Sequence, residues 1–154
     1  MLNWIPAPIH RALMPLAHAL RKAWLRLAKP DIHGVALMGF DAEDRLLLVR
    51  HSYGPDRWSM PAGGMARGED PEHAIRREMR EELGLTLEGL ELVSQRVETI
   101  YGVTNHVWLF TARVLEEPRP DRREVVAAAF CPVDELPEAL EKRVRPRLEL
   151  MDRL

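Results

Sequence analysis

The stretch Gly63–Leu85, GGMARGEDPEHAIRREMREELGL, decides how this chain is to be read. Its second half is punctuated as a helix. Asp70 has the short acceptor side chain that caps a helix start, Pro71 suits the first helical position, and Glu72 complements the positive end of the helix dipole. Ile75, Met79 and Leu83 recur at steps of four and form a stripe to bury, and Gly84 supplies the residue that ends the helix. On the same geometry Glu78, Glu81 and Glu82 stand at i, i+3 and i+4 and share one face. Like charges at this spacing destabilise a helix by roughly a few tenths of a kcal/mol per pair. Arg77 can reach Glu81 at i+4, while Arg80 points elsewhere, and neither neutralises three carboxylates. A divalent cation would. Hard oxygen ligands suit magnesium, calcium or manganese, and no Cys/His cluster competes for zinc. Ahead of the helix, Gly63, Gly64 and Gly68 let the backbone approach a ligand closely. A glycine loop that delivers its ligand to acid-bound metal is an arrangement for phosphoryl transfer.

Outward from this stretch the apolar pattern is mostly that of strands. Residues 33–40 and 45–50 are two short apolar runs joined by a polar turn at Asp41 to Asp44, read as a hairpin or as neighbouring strands. Residues 51–57 form a loop, and Trp58 to Pro61 is extended because residues before proline avoid the helical region. Residues 90–101, 106–115 and 125–131 look like strands, and the link at 116–124 is charged and carries two prolines. Asp134 to Met151 reads as helical, interrupted near Pro137 and Pro146. Strands, helix, strands, helix predict a mixed α/β domain with helices packed on the sheet.

The 154 residues fit one domain, with 46% apolar and 30% charged residues. Cys131 is the single cysteine, so no intrachain disulfide forms, which suits a reducing cytoplasm. No apolar run is long enough to span a membrane. The net charge of −2 is uneven. Residues 1–30 carry Arg11, Arg21, Lys22, Arg26 and Lys29 and no acid, so the remainder is acidic and a poor non-specific nucleic-acid binder.

The box itself resembles the Nudix signature, G-x5-E-x7-R-E-U-x-E-E-x-G-U with U bulky and apolar. Here it reads Gly63, Glu69, Arg77, Glu78, Met79, Glu81, Glu82, Leu83, Gly84 and Leu85, every fixed position in place. WSMPAGG before it and FCPVDELP near the end are also similar to family members. Many relatives carry an acid where this chain has Ala66, a position the signature leaves open. The resemblance implies an α/β/α sandwich with a mixed sheet over residues 31–154 and Mg2+-dependent hydrolysis (Mn2+ as a substitute) of a pyrophosphate bond in a nucleoside diphosphate linked to another moiety. Glu78, Glu81, Glu82 and the Gly63 carbonyl would be metal ligands. Arg77 would orient the carboxylates through a salt bridge to Glu69, and Gly64 would lie against the substrate. Water attacks phosphorus in such enzymes, aided by a box glutamate or a remote one. Glu124, just before the strand 125–131, is the candidate for a remote base and Glu98 the second choice. The competing reading is a Nudix-fold module that binds a nucleotide without turning it over.

Other positions keep two readings. Tyr101 is placed either to stack on a base or simply to end a strand before Gly102. Glu124 is either functional or an ordinary loop acid, and His51 either faces the substrate or lies on the surface. Trp58 and Trp108 suit the core or a stacking surface, and Cys131 reads as a small buried strand residue. None of the six histidines forms a pair with metal spacing. In the first 30 residues Ile9, Leu13, Leu16, Leu20, Trp24 and Leu27 fall on one helical face, giving an appended amphipathic helix. Its stripe suits packing on the domain or across a homodimer. Its basic character, with Trp4 and Trp24, would also suit an anionic membrane surface, and a targeting peptide is the remaining reading.

Overall fold

A computed structural model describes residues 13, 16, 17, 19, 20, 23, 24, 27, 28, 30–100 and 102–151. The elements are β1 (Ile32–Phe40), β2 (Leu46–His51), β3 (Ala62–Gly64), α1 (Pro71–Leu83), β4 (Glu88–Ile100), β5 (Val103–Arg113), β6 (Val125–Cys131) and α2 (Val144–Leu148). They form one mixed sheet in the order β4-β5-β1-β2-β6, with β3 also paired to β1. β1 and β5 run parallel, from Ile32 opposite Asn105 to Phe40 opposite Arg113, and the other pairs are antiparallel.

β1 is covered on both faces, which is why it reads as an unbroken apolar run rather than an alternating one. Val35 and Leu37 pack with Ile75, Met79 and Leu83 of α1. Ala36 and Met38 pack on the opposite side with Met60, Val107, Leu109 and Val144. Helices on the two faces of one sheet make the expected α/β/α sandwich. The turn from β1 to β2 is built by Asp41, whose carboxylate accepts the N–H groups of Glu43 and Arg45 and pairs with the Arg45 guanidinium at 2.7 Å.

The punctuation of α1 is as read from the sequence. The Asp70 side chain accepts the N–H of His73 at 3.0 Å, Pro71 opens the helix, and Gly84 takes a left-handed conformation, φ +65°. Asp70→Ala should lower stability by about 1 kcal/mol, or roughly 2–4 °C in melting temperature for a chain of this size. An unchanged melting curve would show that the cap contributes nothing.

Two expectations change. Residues 134–151 are mostly turns, and only Val144–Leu148 is helical. Pro137 holds the preceding backbone out of the helical region, and the segment then pairs beside Trp58. There the N–H of Trp58 donates to Ala139 and the N–H of Glu141 donates to Trp58. Pro146 lies inside α2, in its first turn, where its missing N–H has no helical partner to lose. The second change is β3, a strand where glycines had suggested only a loop. Of the N-terminal segment, Leu13, Leu16, Leu20, Trp24 and Leu27 are helical and 51–86% exposed. Residues 17, 19, 23 and 28 are helical as well, while Trp4 and Ile9 lie outside the described residues. None of the described helices is long and apolar enough to cross a membrane.

Candidate active site

β3 and α1 together place the box. Arg77 is its organiser. Its guanidinium donates to both oxygens of Glu69 at 2.8 and 2.9 Å, to Glu78 Oε1 at 2.8 Å and to the Gly64 carbonyl at 3.0 Å. Glu81 lies within 3.7 Å of the same group. The planar fork thus ties the loop, the strand and the helix in one place, which a lysine could not reproduce. Held by these hydrogen bonds, the Glu69 carboxyl is pulled down to about 2, so Glu69 is a permanent anion serving structure. A further bond, from the Ala66 N–H at 2.8 Å, fixes the loop.

The acids on α1 differ in surroundings. Glu81 is 45% exposed. Glu82 is only 7% exposed, and its Oε2 is buried with no hydrogen-bond partner. Burial first, then the charges of Glu78, Glu124, Asp121 and Glu81, push the Glu82 carboxyl up to about 9. Burial also raises Glu78, with Arg77 offsetting part of the effect and Glu124 and Glu81 adding to it. Glu124 therefore stands where both box glutamates feel its charge. Gly63 completes the site, because a Cβ there would run into the Glu78 side chain, 2.6 Å from its Oε1.

Glu124 owes its position to Asp121, which the sequence reading passed over. The Asp121 carboxylate accepts the N–H groups of Arg123, Glu124 and Val125 at 3.0, 3.1 and 3.0 Å, and the Asp121 N–H donates to the Glu82 carbonyl. Ser52 ties the same turn to the end of β2 through the carbonyls of Arg123 and Glu124. An aspartate opening a polar turn was the available signal.

Glu98 is not part of this group. Burial opposes its charge, but hydrogen bonds and charges from Arg147 and Arg143 outweigh that and hold it below the ordinary carboxylate range. A carboxylate so paired is a poor proton acceptor, and the second-choice role falls away. Tyr101 lies outside the described residues. His51 ends β2 rather than starting a loop. Its ring is largely buried, it lines the neighbouring cavity, and burial lowers its pKa.

That cavity, about 340 Å³, opens against Gly63 and Gly64 and runs along β1 and β5. Its wall is largely apolar, with Ile32, Ala36, Met60 and Val107, and polar groups enter from Asn105, Arg143 and Arg147. A mainly apolar pocket with a few convergent polar groups is the usual form of a small-molecule site.

As they stand, no three acids among the described residues close around one point. The donor set nevertheless fits a hard divalent cation: clustered carboxylates on one face, one of them buried with an unpartnered oxygen, and a glycine backbone against them. The ion would be held by Glu78, Glu81, Glu82 and the Gly63 carbonyl.

Comparison with known proteins agrees with this architecture. The NUDIX domain profile matches residues 32–154. Over 55 residues the chain is 44% identical to the RNA pyrophosphohydrolase of Rhodospirillum rubrum, covering 36% of this chain and 33% of that protein. Over 45 residues it is 49% identical to the diphosphoinositol polyphosphate phosphohydrolase 3-alpha of Mus musculus, covering 29% and 27%. The chain thus spans about a third of the length of the curated relatives it matches. The crystal structure of a MutT NUDIX hydrolase from Burkholderia pseudomallei superimposes with a TM-score of 0.70 at 26% identity, over 79% of this chain and 98% of that one. Since the profile runs from β1 to Leu154 and takes in the whole acidic site, this chain belongs to the NUDIX domain family.

Proposed function

We propose that this chain hydrolyses a pyrophosphate linkage in a nucleoside diphosphate derivative, with a magnesium ion held by Glu78, Glu81, Glu82 and the Gly63 carbonyl. The observation that carries this reading is Glu82, a carboxylate buried beside Glu78, Glu81, Asp121 and Glu124 with one oxygen unpartnered. A fold that kept this arrangement for stability alone would be keeping a costly one. The bound cation would supply offsetting charge for the phosphates, polarisation of the P–O bond and a more acidic water.

The residues of the chain divide the remaining work. Arg77 holds Glu69, Glu78 and the Gly64 carbonyl in fixed relation. Gly64 has nothing within 4 Å of where a Cβ would lie, which leaves space beside it for a diphosphate. Glu124, fixed by the Asp121 turn, accepts the proton of the attacking water as its oxygen bonds to phosphorus. The bridging P–O bond breaks, and the two products leave as a nucleoside monophosphate and a phosphorylated remainder, or as pyrophosphate where the substrate is a triphosphate.

The test is product release from nucleoside triphosphates, oxidised nucleotides, dinucleoside polyphosphates, ADP-ribose and nucleotide sugars, with magnesium and with chelator. Glu81→Gln should lower turnover by at least about 100-fold, because even partners that only orient a metal ligand are worth about 10–100-fold. Since Glu81 is half exposed, stability should stay within about 0.5 kcal/mol. Turnover that survives chelation, or survives this substitution, contradicts the assignment. A module that only binds would keep its affinity for a nucleotide and show no turnover in the wild type.

A further inference from the structure

Asn105 is the least explained residue in the cavity. It sits on β5, opposite Ile32 of β1 and Glu98 of β4, and is 5% exposed. The little surface it keeps lines the cavity, and among the described residues its amide makes no side-chain hydrogen bond. Its amide keeps access to the cavity rather than being sealed in the core, so a group bound there can reach it. Glu98, its cross-strand neighbour, is already committed to Arg143 and Arg147. On the other side, Gly34 has no side chain to cover the amide. The position a Cβ would take at Gly34 is 3.7 Å from Asn105 Oδ1 and 3.2 Å from the Gly63 carbonyl oxygen. Asn105 therefore faces the same space as the backbone group assigned to the metal.

Resting on the pyrophosphohydrolase reading, we infer that Asn105 is the specificity-determining residue of this site, and that its amide pairs with the edge of a nucleobase lying on the apolar wall of Ile32, Met60 and Val107. An amide offers a donor and an acceptor side by side, and the edges of nucleobases carry matching adjacent groups. The wall argues for a flat heteroaromatic ring over a polyol or a heavily phosphorylated ring. Of the three arginines lining the cavity, Arg143 and Arg147 already hold Glu98, Arg143 holds Glu141 as well, and Arg57 is exposed. Arg147 Nε is a buried donor without a partner. A site built to hydrogen-bond its substrate rejects analogues that lack the matching groups, because its own polar groups are then stranded.

The experiment compares wild type, Asn105→Leu and Asn105→Asp. Binding of AMP, GMP, CMP and UMP is measured by calorimetry, melting temperature without ligand, and KM and kcat on the best substrate with magnesium. Asn105→Leu should not lower the melting temperature of the ligand-free protein, because no hydrogen bond within the protein is lost with the amide. The same change should weaken the preferred mononucleotide about 10–100-fold. The loss in kcat/KM should fall mainly on KM. Asn105→Asp, which keeps an acceptor and loses the donor, should alter the ranking of the four bases. Inorganic pyrophosphate should bind all three proteins alike. If Asn105→Leu lowers the melting temperature, or leaves the mononucleotide affinities and KM as in wild type, the amide is structural and the inference is overturned, while hydrolysis by the wild type still stands. If the wild type neither hydrolyses nor binds any nucleotide, the pyrophosphohydrolase reading fails and takes this one with it.

Discussion

Glu82→Gln is expected to abolish magnesium-dependent turnover and, in the same protein, to remove a pH dependence from metal-free stability. The loss should be at least about 100-fold, for the reason that applies to Glu81, but here a stability signature accompanies it. The Glu82 carboxyl is pushed from the ordinary 4.5 up to about 9 by burial and by its acidic neighbours. Between those values the folded protein keeps a proton that the unfolded chain has given up. Stability therefore falls as pH rises through this window: the contribution is complete below about 4.5 and gone above about 9. The ceiling on the slope is ~1.4 kcal/mol per pH unit for one proton, or roughly 3–6 °C per unit here. The glutamine of the variant carries no such proton to lose. The melting temperature of the wild type minus that of the variant should fall steadily from pH 5 to pH 9 in chelator. Other carboxylates, such as Glu69 and Glu98, are held low and contribute equally to both proteins, so they cancel in the difference. Magnesium at pH 8 should raise the melting temperature of the wild type and leave the variant almost unmoved. A difference that is flat across pH would mean that Glu82 is not the desolvated acid described, and equal magnesium shifts would remove it from the ligand set.

How much of this was legible before the structure depends on whether the determinants are local. The ends of α1 were fully legible, since caps, a first-turn proline and a terminal glycine act within four residues. So was the pairing of Arg77 with Glu69, because the resemblance carries it position by position. Residues 134–151 were not. Their composition is compatible with helix, but the backbone groups of Ala139 and Glu141 are taken by Trp58, a partner about eighty positions away. β3 was hidden for a similar reason: Ala62–Gly64 has no side-chain pattern, and only its pairing with Gly34, Val35 and Ala36 makes it a strand. In the site, the acids announce themselves by spacing on one helix. Asn105 does not, because an asparagine in a strand says nothing until β1, β4 and β5 surround it. The same holds for Asp121, whose three backbone partners are local but whose value lies in where the turn sets Glu124.

Gly63→Ala should be the most damaging single methyl group in this protein, and Glu78 should be the reason. Backbone conformation is not the obstacle, since Gly63 does not adopt the positive φ found at Gly54, Gly68, Gly84, Gly89 and Gly102. Space is. The new Cβ would fall inside contact distance of Glu78 Cγ and Cδ and 2.6 Å from its Oε1. Glu78 is largely buried and pinned by Arg77 at 2.8 Å, so it must rotate out of its place and give up that bond. Overpacking of this kind costs about 1–3 kcal/mol. On the proposed reading activity should drop by at least about 100-fold, as a displaced metal ligand is no better than an absent one. Gly64→Ala is the control for stability: with nothing within 4 Å, its melting temperature should hardly move. The decisive measurement is a double-mutant cycle with Glu78→Ala. Once the Glu78 side chain is gone, adding the Gly63 methyl should cost close to nothing, so the two substitutions should be strongly non-additive. If Gly63→Ala is as destabilising in the Glu78→Ala background as in the wild type, the glycine serves the strand and not the carboxylate. The claim that this backbone was shaped around the acid cluster would then be wrong.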